Sequence, residues 1–144
     1  MTMATDGAPT HLMPLRVYWE DTDASGVVYH ANYLRWFERA RTEWLRALGY
    51  SQERLMSEVG IAFTVASIEI QYRRPARLDD LLDVVTRISE IRNVSLSFTQ
   101  SLQRPDAPGQ ILTQAQVRVA CVSLSSSSST STWGITLPAG TRTT

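Results

Sequence analysis

The spacing of apolar positions along the chain changes twice, and each change marks a different kind of element. Leu15–Trp19 reads as a first strand, preceded by a loose tail over residues 1–13. Glu20–Tyr29 is a polar loop in which Gly26 is free to take an unusual backbone angle. Tyr33, Leu34, Phe37, Ala40, Trp44, Leu45 and Leu48 then recur at spacings of three and four, with Arg35, Glu38, Arg39, Arg41, Glu43 and Arg46 mostly between them. That period predicts one long helix with a single buried face, stopped at Gly49. Ser51 opens a short second helix, SQERLMSEV, which Gly60 ends.

From Ala62 the pattern turns to β. AFTVASIEIQYRR, LLDVVTRISEI, VSLSFTQSLQR and ILTQAQVRVACVSL are four long runs rich in Val, Ile, Thr and Phe with partial alternation. Pro75 with Asp79 and Asp80 separates the first two, Arg92 and Asn93 connect the next two, and RPDAPGQ forms a hairpin-type loop before the last. One strand, a long helix and four antiparallel strands make an α+β domain of about five strands over residues 14–124. The helix must lie across a curved sheet to hide its apolar stripe. Residues 125–144, rich in Ser and Thr and without helical or alternating period, are expected to be disordered.

Composition narrows the function classes. A chain of 144 residues, 43% hydrophobic, suits one domain with a respectable core. Fourteen basic and fourteen acidic residues leave a formal net charge of zero, which advertises neither nucleic acid nor an anionic membrane. All the basic residues are arginine, so Schiff-base chemistry is excluded and any phosphate must be met by guanidinium, backbone or hydroxyl. Cys121 stands alone, which rules out an intrachain disulfide and fits a reducing cytoplasm. In a β run it is most simply a small core residue. With two histidines and one cysteine a metal site is not expected, and neither is any cofactor. No run approaches the roughly 20 apolar residues of a membrane span, and the first residues carry no signal-peptide pattern.

The chemistry concentrates in VYWEDTDASGVVYHANYLRWFERARTEWL, residues 17–45. Three acidic residues, a glycine turn and one of the two histidines directly precede the helix. A helix start offers unpaired N–H groups and partial positive charge, and a carboxylate beside it can act as nucleophile or base on a carbonyl. Taken alone, Asp21 and Asp23 also fit turn and cap formation. Tyr33, Trp36, Phe37 and Trp44 are first a packing face of the helix.

This segment, followed by YRRPARLDD, resembles the hotdog-fold acyl-CoA thioesterases, most closely the YbgC-type, Tol-Pal-associated branch near 4-hydroxybenzoyl-CoA thioesterase, over about residues 15–124. The resemblance implies a long central helix wrapped by an antiparallel sheet. It also implies a homodimer with active sites between subunits, often assembled as a homotetramer, a dimer of dimers. The implied activity is hydrolysis of acyl-CoA or acyl-carrier-protein thioesters to free acid and thiol. On the same grounds the catalytic carboxylate falls on Asp23, with His30 assisting and the backbone near Tyr29, His30 and Ala31 receiving the carbonyl oxygen. Glu20, Asp21 and Asn32 fall to turn structure. Arg73, Arg74, Arg77 and Arg92 with Asn93 lie at strand ends, where any one of them also fits plain solvation, and Arg74, Arg92 and Asn93 are the candidates for contacting the nucleotide of coenzyme A. Trp19 stands where relatives often carry a tyrosine, and an indole N–H can only donate. Two other readings stay open: a hotdog hydratase or dehydratase acting on acyl thioesters, and a non-catalytic acyl-binding scaffold for envelope or lipid-synthesis proteins.

Overall fold

A computed structural model describes residues 3–4 and 10–124. Its strands are β1 (Met3–Ala4), β2 (His11–Arg16), β3 (Ile61–Tyr72), β4 (Leu81–Arg92), β5 (Ser95–Arg104) and β6 (Ala107–Ser123). They form one antiparallel sheet in the order β1-β4-β5-β6-β3, with β2 also pairing β4. The outer edge of β4 is thus shared by β1 and β2, while β3 closes the opposite side against β6. Register shifts at Val65/Ser67, Ile88/Glu90 and around Gln103 interrupt the ladders, and such irregularities bend the strands that carry them.

The chain enters the sheet earlier than the sequence pattern suggests. His11–Met13, expected in the tail, pair with Thr86, Val85 and Val84, whereas Trp19 leaves the expected strand for a 3-10 turn, Trp19–Asp21. Pro14 is tolerated because β2 is an edge strand, which owes no full set of ladder hydrogen bonds. RPDAPGQ is likewise shorter as a loop than expected: Arg104 pairs with Ala107, so Pro105 and Asp106 make the turn and Ala107–Gln110 belong to β6. The expectation of disorder over residues 125–144 lies outside the described residues.

The long helix α1 spans Ala31–Ala47. Its inward residues, Tyr33, Trp36, Phe37, Ala40, Trp44 and Leu45, are all buried, and full burial of one large apolar side chain contributes about 1.5–3 kcal/mol. Gly49, at φ 97°, ends the helix: its N–H donates to Arg46 O and that of Tyr50 to Leu45 O, the paired bonds of a Schellman cap. A second helical stretch, Gln52–Val59, is capped by Ser51, whose hydroxyl accepts from Arg54 N, and ends at Gly60 with φ 81°.

Polar contacts fix where α1 sits on the sheet. Gln100 of β5 is fully buried, donating from Nε2 to Phe37 O and to Thr86 Oγ1, each at 3.0 Å, while its Oε1 accepts from Arg41 at 3.0 Å. At the other end of the helix, the Tyr33 hydroxyl accepts from Ala76 N at 3.0 Å. Ala76 lies in the connection that carries the chain from β3 back across the sheet to β4. Tyr33→Phe removes that acceptor and leaves a buried N–H unsatisfied, so unfolding in urea should show a loss of about 1–3 kcal/mol with an unchanged m-value.

Candidate active site

Asp23 sits at the tip of a small loop built by its own backbone. Asp23 N donates to Val27 O at 2.9 Å, Gly26 N returns to Asp23 O at 3.0 Å, and Thr22 bridges Val28. Gly26 takes φ 82°, a conformation costly for residues with a Cβ. One carboxylate oxygen of Asp23 accepts from Ser25 N at 2.9 Å and from Ser25 Oγ at 2.5 Å. These bonds, the hydroxyl first, hold the carboxyl below the usual carboxylate range. The side chain is exposed and therefore ionised at neutral pH and open to a ligand.

Asp21 ties this loop to the helix. Its carbonyl accepts from Tyr29 N at 2.9 Å and from Asn32 Nδ2 at 2.9 Å, and its carboxylate accepts from Tyr18 N at 2.8 Å. Asp21 and Asn32 are thus structural, as the sequence suggested. A second tie comes from Val28 N, which donates to Ala76 O at 2.8 Å, so the connection after β3 clamps both the loop and Tyr33.

The backbone N–H groups at the helix start differ in what they bond. Tyr29 N–H is occupied by Asp21 O and is not available to an oxyanion. Asn32 N–H is likewise bonded to Tyr29 O, and Tyr33 N–H to His30 O at 3.3 Å. The N–H groups of His30 and Ala31 donate to no acceptor among the described residues. They stand at the positive end of a 17-residue helix.

His30 occupies the N-cap position and does not cap the helix with its side chain. Its exposed ring lies 4.7 Å from that of Tyr29 and 6.3 Å, edge-on, from that of Tyr72. Tyr72 also contacts Tyr33, at 5.5 Å. His30, Tyr33, Tyr72 and Arg74 border an open groove beside the end of β3. Sequence reasoning passed over Tyr72, although it opens the YRRPARLDD motif quoted above. Asp23 and His30 share no hydrogen bond among the described residues.

The arginine candidates separate. Arg74 lies in the groove beside His30, whereas Arg92 and Asn93 stand at the far end of β4, where Arg92 pairs with Ser95 and its Nε meets Glu90 Oε1 at 2.9 Å. Arg74 thus lies beside Leu112 of β6, and Arg92, through Ser95, beside Ala120 near the other end of that strand. Arg73 is held by Gln71 and Gln114, and Arg77 N by Asp80. Trp19 is 83% exposed on its turn, with its indole unpartnered among the described residues. Cys121 is half-buried and burial pushes its thiol pKa up, which suits a packing residue better than a nucleophile.

Comparison with known proteins places the chain in a family. The thioesterase-like superfamily matches residues 17–133. The chain is 51% identical over 111 residues to the acyl-CoA thioesterase YbgC of Haemophilus influenzae, covering 77% of this chain and 79% of that protein. It is 50% identical over 109 residues to the acyl-CoA thioester hydrolase YbgC of Escherichia coli O6:H1, covering 76% and 79%. A probable thioesterase from Bartonella henselae superposes with a TM-score of 0.75 at 39% identity, over 80% of this chain and 93% of that one. The chain belongs to the thioesterase-like superfamily, among the YbgC-type proteins of the hotdog fold.

Proposed function

We propose that this protein is an acyl-CoA thioesterase in which Asp23 carries the reaction. The observation behind this reading is an exposed, ionised carboxylate on a loop tied by two hydrogen bonds, both to the Asp21 carbonyl, to the start of a long helix where the His30 and Ala31 N–H groups are unused. Asp23 attacks the thioester carbonyl to give a mixed anhydride that water then hydrolyses, or it deprotonates the attacking water. On either route the C–S bond breaks, negative charge collects on the carbonyl oxygen, and the His30 and Ala31 N–H groups receive it. The departing thiolate needs little acid assistance, because a thiol has a reference pKa near 8.5. His30 donates a hydrogen bond or orients the substrate from between Tyr29 and Tyr72.

The finer features follow the same reading. The helix stands at the centre of the hotdog, supported by the contacts of Phe37, Arg41 and Trp44 with β5. Arg74 serves the phosphates of coenzyme A within one subunit. Arg92 and Asn93 reach a nucleotide only if a second copy supplies them, which suits a homodimer or a dimer of dimers. Support for association comes from β3, which among the described residues pairs only with β6 and exposes Val65, Ile68 and Tyr72. No helix among the described residues is long and apolar enough to cross a membrane. The proposed setting is the cytoplasm, with acyl carrier protein as a second thioester donor.

Turnover of an acyl-CoA panel, followed by release of free thiol, tests the assignment and separates hydrolysis from hydration of an enoyl group. Asp23→Asn should lower kcat by about 100-fold or more, and His30→Ala by less. Unchanged turnover in folded Asp23→Asn would sink the assignment.

The pH profile is a second test. Ionised Asp23 is the active form and its pKa is lowered in the fold. Activity should therefore persist below the ordinary carboxylate range and fall only as pH drops through the lowered pKa. Ser25→Ala removes the largest cause of that lowering, so the acid limb of kcat/KM should move to higher pH. An unmoved limb would detach Asp23 from the pH dependence. Light scattering should give a dimer or larger, and a clean monomer would reject the shared site.

A further inference from the structure

A half-buried arginine on α1 has no part in the chemistry above. Arg41 Nη1 donates to Gln100 Oε1 at 3.0 Å, and among the described residues the guanidinium makes no ion pair. Gln100 cannot turn to offer more, because its amide nitrogen is committed to Phe37 O and Thr86 Oγ1. A five-donor fork is thus held partly out of water against one neutral acceptor, a costly arrangement unless an anion joins it. Burial accordingly pulls the Arg41 pKa down, opposed only by the nearby charge of Glu38.

Arg41 borders a cavity of about 120 Å³ between the C-terminal half of α1 and strands β3, β5 and β6. The buried walls are apolar: Trp44, Leu45, Leu96, Phe98 and Val119. The remaining lining residues, Glu38, Arg41, Gln52, Phe63 and Val65, are half-buried or exposed, and they include all the polar ones, which places charge towards the solvent side. The volume approaches the roughly 150 Å³ of an engineered apolar cavity that holds benzene. Apolar walls beside a guanidinium that makes no ion pair among the described residues, and meets only the more distant charge of Glu38, fit a ligand with a small hydrophobic body and a carboxylate at its end.

We propose that this cavity binds a small apolar monocarboxylate, aliphatic or aromatic, with its body among Trp44, Leu96 and Phe98 and its carboxylate on Arg41. The occupant is the free acid; a thioester or amide of the same acid lacks the charge that Arg41 recognises. Arg41 lies ten residues past Ala31, about 15 Å along the helix axis, so a ligand of this size does not reach Asp23. The site therefore stands independently of the catalytic assignment, although free acids are also the product class of thioester hydrolysis. Glu38 lines the same cavity, with Oε1 accepting from Thr42 Oγ1 at 3.3 Å, and its charge weakens the binding of an anion.

Benzoate and butyrate titrated into the full-length protein, with the Trp44 indole N–H resonance as readout and Trp44→Phe to assign it, test the proposal. Benzoate should move that resonance saturably, and benzamide, equal in size but uncharged, should bind about ten-fold more weakly, the effect of one charge-assisted contact. Arg41→Met should erase the preference for acid over amide, and Glu38→Gln should tighten benzoate binding a few-fold. Equal affinity for benzoate and benzamide in the wild type, or no saturable shift, would overturn the proposal whether or not the Arg41 variant folds. Neither result bears on Asp23, because no turnover is read.

Discussion

The buried backbone of Ala76 is the fixed point of this structure. Its N–H is satisfied by the Tyr33 hydroxyl and its carbonyl by Val28 N, so one residue joins the long helix, the loop bearing Asp23 and the connection between β3 and β4. That connection must cross the sheet because β3 and β4 are separated by β6 and β5. A crossing chain without secondary structure needs partners for its polar groups. The first turn of α1 and the neck of the loop bearing Asp23 supply them. The demand that a buried backbone be satisfied thus also sets the relation between helix and carboxylate.

The chemistry inherits its order from the same tie. Asp23 is exposed, yet its loop is closed by its own turn bonds and anchored through Asp21 to Tyr29 and Asn32. A carboxylate on a tethered loop needs little reorganisation to meet a substrate, which is the condition under which fixed dipoles at a helix end are most effective. Ser25 lowers its pKa further.

How far this could be read from the sequence depended on the range of the interactions. The helix was legible because Tyr33, Phe37, Ala40 and Trp44 announce their face locally, and its end because Gly49 is the natural left-handed cap. Asp23 and His30 stood out through the motif rather than through periodicity. The first strand was misplaced by a few residues, since pairing with β4, 70 or so positions away, decides where His11–Met13 go. RPDAPGQ hid two turn residues among seven of loop-like composition. Tyr29 N–H could not be known to be occupied without the fold of Asp21, and nothing local separates Arg74 from Arg92. The Arg41–Gln100 contact spans 59 residues and has no local signature at all.

Those long spans also bear on how the protein comes into being. Tyr33 waits for Ala76, 43 residues on, and Phe37 for Gln100, 63 residues on. As a nascent chain leaves the ribosome, its amphipathic helix is complete well before the strands that cover it exist. Non-local pairings of this kind slow folding and leave apolar surface uncovered meanwhile. The tyrosines and tryptophans that build the mature core are, for that interval, an adhesive stripe, and the enzyme's yield in the cell depends on how quickly β5 and β6 arrive.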